Sequence, residues 1–238
     1  MARCFVAGAT GFTGRAVVQQ LCAAGEVVAA HIRPGSSSLE RYAPVFEAQG
    51  AEVDTTPWSL PELSARLQAF APTHVFCLIG TTKARMRALE RQGGQAAAAG
   101  YDAVDFGLTA MLVQASEAVE VRPRFIYLSA MGVSPRALNA YMAARWRAEE
   151  AVRHSALPFT IIRPGLITGP NREDDRPAER LTGALMGGVF GAARKVGLGR
   201  LADQYAPTDD AELAAGIIHH ALNPASPSDI IEQHRLRV

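Results

Sequence analysis

The segment Val6-Ala7-Gly8-Ala9-Thr10-Gly11-Phe12-Thr13-Gly14 joins a short apolar run to the start of a helical pattern, and that junction narrows the folds open to the chain. Glycine at 8, 11 and 14 permits a sharp turn, lets the backbone approach a ligand without a Cβ in the way, and brings the helix close to the strand. The first amides of such a helix have no intrahelical acceptor, so they suit an anion such as a dinucleotide pyrophosphate. A purely structural strand–turn–helix junction would use the same three glycines, so position along the chain carries more weight than the letters.

The order of elements after this junction is regular. Cys4 to Ala7 reads as a strand, Ala16 to Ala24 as a helix and Val27 to Ile32 as a second strand, which is a βαβ unit. A polar turn from Pro34 to Ser38 leads to a helix from Leu39 to Gln49, a short strand near Glu52 to Thr55 and a helix from Leu60 to Phe70. His74 to Ile79 is an unbroken apolar run, as a central parallel strand covered on both faces requires. A long Ala-rich helix is predicted from Ala96 to Val119, then a strand from Arg124 to Ser129, a helix from Ala140 to His154 and a sixth strand from Phe159 to Arg163. Strands alternating with helices predict an α/β fold, a doubly wound parallel sheet of Rossmann type, with ligands at the carboxyl ends of the strands. Beyond Pro164 the pattern loosens into a charged stretch, a Gly-rich stretch and a capped helix from Asp209 to Leu222. Residues 1–238 are read as one domain, with about 167–205 as a small C-terminal lobe on the substrate side.

At 238 residues the chain can bury one large core. Lys+Arg 24 against Asp+Glu 23 gives no global field to draw in nucleic acid or an anionic membrane, so an anionic ligand must be held locally. Cys4, Cys22 and Cys77 are an odd number in apolar surroundings, which fits reduced thiols better than a disulfide framework. No Cys or His cluster has metal-ligand spacing, no apolar run reaches the length of a membrane span, and no secretory leader is apparent. The expectation is a soluble cytoplasmic protein without a metal, a monomer or homodimer whose partner is a small-molecule substrate.

The end of the second strand bears on the cofactor. A carboxylate there reads the ribose 2′-hydroxyl of NAD, but the chain has His31-Ile32-Arg33. Arg33 stands 33 − 14 = 19 residues beyond Gly14, near the ribose-reading distance, and a guanidinium pairs well with a 2′-phosphate. NADP, as NADPH, is therefore the expected cofactor. Arg15 and Ser36 to Ser38 are further donors near the same phosphate, and Asp54 after the third strand is a candidate adenine contact. Gly80, Thr81 and Thr82 close the fourth strand at the same edge and count among the cofactor-binding positions.

Downstream, Ser129 ends the fifth strand, Tyr141 opens the next helix, and Arg145 lies one turn later on the same face. A phenol beside a cation serves as general acid or base, and a hydroxyl polarises a substrate carbonyl. This is the chemistry of carbonyl reduction and alcohol oxidation by a nicotinamide. A strand-end serine that bonds local backbone and a half-buried aromatic are the ordinary alternatives. Gly-x-Ser-x-Gly is absent, which argues against a hydrolase. The basic cluster Lys83, Arg85, Arg87 and Arg91 reads as a solvated helix face.

Together, Gly8-Ala9-Thr10-Gly11-Phe12-Thr13-Gly14, Leu128-Ser129-Ala130-Met131-Gly132, Tyr141 with Arg145, and Ile162-Arg163-Pro164-Gly165 resemble the atypical short-chain dehydrogenase/reductase superfamily. Leu78 to Thr82, Tyr101-Asp102-Ala103-Val104-Asp105 and Arg172 to Pro177 look like its Tat-interacting-protein-like branch. The resemblance implies Ser129 as the carbonyl hydrogen-bond donor, Tyr141 as proton donor or acceptor, and residue 145 as the cation that bonds the nicotinamide ribose. Pro164 and Ile167 match positions that line the nicotinamide side. The family's usual lysine is Arg145 here, a planar fork in place of a compact ammonium. The expected activity is an NADPH-dependent oxidoreductase acting on a small carbonyl or alcohol. The alternative is a non-catalytic NADP(H)-binding redox sensor or assembly factor, and an epimerase or dehydratase would use the same phenol.

Overall fold

A computed structural model describes residues 1–81, 91, 100–137, 139–168 and 207–236. The first strand, β1 (Arg3–Ala7), leads into helix α1 (Phe12–Ala23) and β2 (Val27–His31), followed by α2 (Leu39–Ala48), β3 (Glu52–Asp54), α3 (Leu60–Phe70) and β4 (His74–Cys77). After residue 100 a turn of π-helix (Asp102–Gly107) runs into α4 (Leu108–Glu117), then β5 (Arg124–Leu128), α5 (Ala140–His154) and β6 (Phe159–Arg163). Two short strands, β7 (Ile167–Thr168) and β8 (Thr208–Asp209), precede α6 (Asp210–Leu222), β9 (Ser228–Glu232) and a closing 3-10 turn (Gln233–Arg235).

Among the described residues the main sheet has seven strands in the order β3-β2-β1-β4-β5-β6-β9, and every neighbouring pair is parallel. Parallel neighbours need helical crossovers, and those helices cover both faces. Cys4, Phe5, Val6 and Ala7 accordingly have no solvent exposure. Their side chains alternate between two cores. Cys4 and Val6 join Val28, Ala30, Phe76, Ile126 and Ile162 beneath α1, α2 and α6. Phe5 and Ala7 join Ala29, Val75, Cys77, Phe125 and Tyr127 beneath α3, α4 and α5. Cys4, Cys22 and Cys77 are free thiols. Burial pushes Cys4 up to about 12 and Cys77 up to about 11, so both stay protonated.

The sheet has one strand more than the six predicted. Ser228–Glu232 has just two apolar residues flanked by polar ones, too weak a pattern to read as a strand, yet it pairs with β6 along Phe159 to Arg163. The helix expected from Ala96 to Val119 is described from residue 100, carries a π-turn, and ends at Glu117. Between β1 and β4 the strand order reverses, with Ala7 facing His31 on one side and Cys77 on the other. That crevice at the carboxyl ends is where such sheets bind ligands.

Candidate functional site

The Gly8–Gly14 turn lies at this crevice. Gly8 has φ +85, a conformation other residues rarely adopt, and a Cβ there would come within 2.6 Å of the Leu78 carbonyl oxygen of the neighbouring strand edge. At Gly14 a Cβ would meet the Gly8 oxygen at 2.1 Å. The Gly11 N–H donates to the Gly8 carbonyl at 3.0 Å, which closes the turn. Gly11 is the N-cap of α1 and supplies no side-chain hydrogen bond, and the first turn of the helix carries no acidic residue of its own. Thr13 and Gly14 are buried, Thr10 and Phe12 half-buried, and Gly11 exposed. Arg15 donates to the Thr10 carbonyl at 2.9 Å and lies over the Tyr42 ring.

At the ends of β2 and β3, His31 is buried, with its ring Nε2 2.8 Å from the Thr56 carbonyl and its ring in a T-shaped pair with Trp58. Burial lowers its pKa, against the pull of the Thr56 carbonyl and Asp54. Arg33 is exposed. Asp54 is buried and engaged twice: it accepts from the Thr56 N–H at 3.0 Å and pairs with Arg66.

Across the crevice, at the ends of β4 and β5, Arg145 reaches inward from α5 and is 6% exposed. Its Nη1 donates to the Leu128 carbonyl at 2.6 Å and to the Tyr127 hydroxyl at 3.2 Å. Its Nη2 donates to the Ile79 carbonyl at 3.2 Å and pairs with Asp105 Oδ1 at 2.9 Å. Burial works against the charge, but Tyr127, Tyr141 and Asp105 outweigh it and hold the guanidinium firmly protonated. Gly80 provides the space, since a Cβ there would lie 2.6 Å from Nη2. The guanidinium lies 5.3 Å from the centroid of the Tyr141 ring, and the Tyr101 ring packs against Tyr141 at 5.3 Å between centroids. The structure thus brings Tyr141, Arg145, Gly80 and Thr81 together.

Ser129 is placed differently. Its hydroxyl donates to Glu149 Oε1 at 2.6 Å, and both residues are buried. Glu149 also accepts from Arg163 at 2.6 and 2.9 Å and from Arg153 at 2.7 Å. The hydrogen bonds that Arg163 donates to Glu149 raise the Arg163 pKa. Pro164 is buried and its carbonyl accepts from the Met131 N–H at 2.9 Å, while Ile167 pairs with Thr208 in the small second ladder. Thr82, Lys83, Arg85, Arg87 and the charged stretch from 172 lie outside the described residues; Arg91 is exposed.

A profile of a family described as NAD(P)H-binding matches residues 8–187, which takes in the glycine turn, β4, β5 and the Tyr141–Arg145 pair. The chain belongs to this NAD(P)H-binding family. Solved structures of similar fold include a candidate epimerase from Burkholderia cenocepacia J2315, at 21% identity, TM-score 0.68, over 97% of this chain and 74% of that one. A mutant UDP-glucuronic acid 4-epimerase from Bacillus cereus, bound to a fluorinated UDP-sugar and NAD, matches at 18% identity and TM-score 0.69 over 97% of this chain and 77% of that one. The Bordetella bronchiseptica enzyme WbmG, in complex with NAD, matches at 15% identity and TM-score 0.65 over 96% and 71%. No functionally curated sequence is detectably similar. At these identities the neighbours establish the fold alone, a parallel sheet of Rossmann type flanked by helices, as the sequence predicted.

The residues of this NAD(P)H-binding protein fit a dinucleotide: the turn has no room for a Cβ at Gly8 or Gly14, and α1 begins without a side-chain cap. Sequence reasoning did not give a role to Asp105, Tyr101, Tyr127 or Glu149. Tyr101 and Asp105 stood in a stretch already noted for its resemblance, but periodicity does not disclose a π-turn that swings them inward. No group of His, Cys, Asp or Glu among the described residues is arranged to hold a metal, and no described helix is long and apolar enough to cross a membrane.

Proposed function

We propose that the protein is an NADP(H)-dependent oxidoreductase of the atypical short-chain dehydrogenase/reductase type, acting on a small carbonyl or alcohol. The observation that carries this reading is the Tyr141 phenol beside a permanently charged, buried Arg145 at the edge of β4 and β5. The bound nicotinamide would supply or accept hydride. The Gly8–Gly14 turn and the α1 amides would hold the pyrophosphate, and Tyr141 would give a proton to the substrate oxygen during reduction and take it back during oxidation. The positive charge of Arg145 beside the Tyr141 ring would stabilise the negative charge that develops on the phenol oxygen as its proton moves to the substrate.

The choice of NADP rests on charge at the ends of β2 and β3. His31 is buried and Asp54 is spent on Arg66 and Thr56, so among the described residues neither offers a carboxylate to a ribose diol. Arg33 is exposed and forms no ion pair among the described residues. Titration of the purified protein with NADPH and NADH tests this: NADPH is expected to bind at least about tenfold more tightly. Arg33→Ala should remove that preference by weakening NADPH while leaving NADH unchanged. Equal affinities in the unsubstituted protein would end the NADP reading.

The Ser129–Glu149 bond favours a second reading, a non-catalytic NADP(H)-binding sensor or assembly factor, because the hydroxyl meant for a carbonyl is already donating to a buried carboxylate. Tyr141→Phe separates the two. In an enzyme it should cut turnover of carbonyl substrates by about 100-fold or more with NADPH affinity retained. Absence of turnover across a broad carbonyl and alcohol panel, with tight NADPH binding, would favour the sensor.

A further inference from the structure

Gln233 puts a polar side chain where packing alone would favour an apolar one: it is 1% exposed, in the closing turn after β9. A buried amide needs hydrogen-bond partners, and Gln233 finds them on two separate segments. The Gly165 N–H donates to Oε1 at 2.8 Å, and Nε2 donates to the Thr208 hydroxyl oxygen. Because a backbone N–H can only donate, Gly165 fixes which end of the amide is the oxygen.

Those two segments form a neck. After β6 the chain passes Gly165 and enters β7, and it returns through β8 into α6, at the carboxyl edge of the main sheet where the crevice lies. β7 and β8 are two residues each, pairing Ile167 with Thr208 and Thr168 with Asp209, and the Thr208 N–H donates to the Leu166 carbonyl at 3.1 Å. A ladder this short is too weak to hold its own register. Gln233 bonds to both sides of it and is itself anchored: Glu232 pairs with Arg163 at 3.0 Å, and Leu236 is buried with its carbonyl against Gly216. A buried amide with its partners in place specifies one arrangement of the segments it joins.

We propose that Gln233 is a positioning residue: it clamps the two sides of the neck and so sets how the chain between Thr168 and Thr208 is presented to the cofactor half opposite Arg33. Arg33 follows β2, on one side of the reversal between β1 and β4; the neck follows β6, on the other. A dinucleotide with its 2′-phosphate at Arg33 lays its nicotinamide half on the neck's side, where chain beyond the carboxyl ends of strands makes the ligand contacts. Gln233 acts through the neck and touches no ligand. The clamp itself does not depend on a cofactor; its effect on NADPH rests on the NADP(H) reading.

The test compares the unsubstituted protein with Gln233→Met, which keeps the shape without the amide, and Thr208→Val, which keeps the shape without the hydroxyl. Amide hydrogen exchange is followed at Thr208, whose acceptor Leu166 neither substitution removes, against Leu78, whose N–H donates to the Ala7 carbonyl at 2.9 Å in the main sheet. NADPH and 2′,5′-ADP, which carries the adenosine half and the 2′-phosphate without a nicotinamide, are titrated by calorimetry. Gln233→Met should speed exchange at Thr208 about tenfold relative to Leu78, and weaken NADPH about fivefold with 2′,5′-ADP unchanged. Thr208→Val should give smaller effects in the same direction, and it decides the matter if Gln233→Met does not fold. Equal acceleration at Thr208 and Leu78 would make Gln233 a support of the whole fold, and unchanged exchange at Thr208 would mean that the neck holds without it; either result overturns the proposal. Selective acceleration at Thr208 with NADPH unchanged, or with both ligands weakened equally, overturns it too, while the NADP(H) reading stands. If the unsubstituted protein binds neither ligand, that reading falls and takes the effect on NADPH with it, and exchange at Thr208 still decides the clamp.

Discussion

Gly80 and Ser129 illustrate how single residues decide this site. Gly80 lies just beyond β4, where a side chain would press on Arg145 Nη2 at 2.6 Å and approach Asp105 Oδ1 at 3.7 Å. The contact is with a side chain, but one pinned by four bonds, so it cannot swing aside cheaply. Gly80→Ala is therefore expected to cost about 1–3 kcal/mol, read as a lower denaturant midpoint. Ser129 was legible as a hydroxyl at a strand end, and it does lie there. Its hydrogen bond was not legible, because Glu149 comes from the third turn of α5, 20 residues away in sequence. Ser129→Ala leaves one acceptor of Glu149 unmet and should lower stability by about 1–2 kcal/mol, measured by urea unfolding. An unchanged midpoint would show that the bond contributes nothing net.

The elements around the crevice were largely readable because each carries its own pattern. α5 begins at Ala140 and ends at His154, as predicted; its N-cap Asn139 accepts from the Met142 N–H at 2.9 Å, and Arg153 and His154 lie in its last turn. The π-turn was not readable, since its inward tilt is set by contacts with α5: Asp105 with Arg145, Asp102 with Arg147, and the Arg147 guanidinium 3.9 Å from the Phe106 ring. Helix α6 raises the converse case. Its Gly216 sits in a helix interior, where glycine is intrinsically unfavourable, and the reason is tertiary: a Cβ would lie 2.2 Å from the Leu236 carbonyl oxygen of the closing segment. Gly216→Ala should therefore destabilise by about 1–3 kcal/mol in spite of alanine's better helix propensity. A stabilised variant would mean that the segment after β9 gives way freely.

For the molecule as a whole, packing on both faces of a parallel sheet fixes the pH response. His31 on β2 and His74 on β4 are both pushed below their ordinary value of 6.5, chiefly by burial, with Arg124 adding to the effect at His74. Well above pH 6.5 neither folded nor unfolded chain protonates them appreciably. As pH falls through 6.5 the unfolded chain binds protons that the folded one resists, so stability is lost on the acid side until the folded values are reached. The urea midpoint is expected to fall between pH 7 and pH 5, and His31→Gln should flatten that dependence over the same window. The same slope in the variant would place the effect elsewhere.

The sequence by itself determined the alternation of strands and helices, the glycine turn that leads into α1, the parallel sheet, and the spacing that sets Tyr141 one turn from Arg145, because these follow from local periodicity and backbone sterics. Tertiary structure alone decided the seventh strand, whose five residues become a strand by pairing with β6, and the partners of the charged groups. In sequence Arg33 and Asp54 follow strands and Arg145 lies on a helix, and the residues around them do not say which of the three is paired. Folding leaves Arg33 exposed, spends Asp54 on Arg66, and buries Arg145 with Asp105, because which charge meets a countercharge depends on segments far apart in the chain.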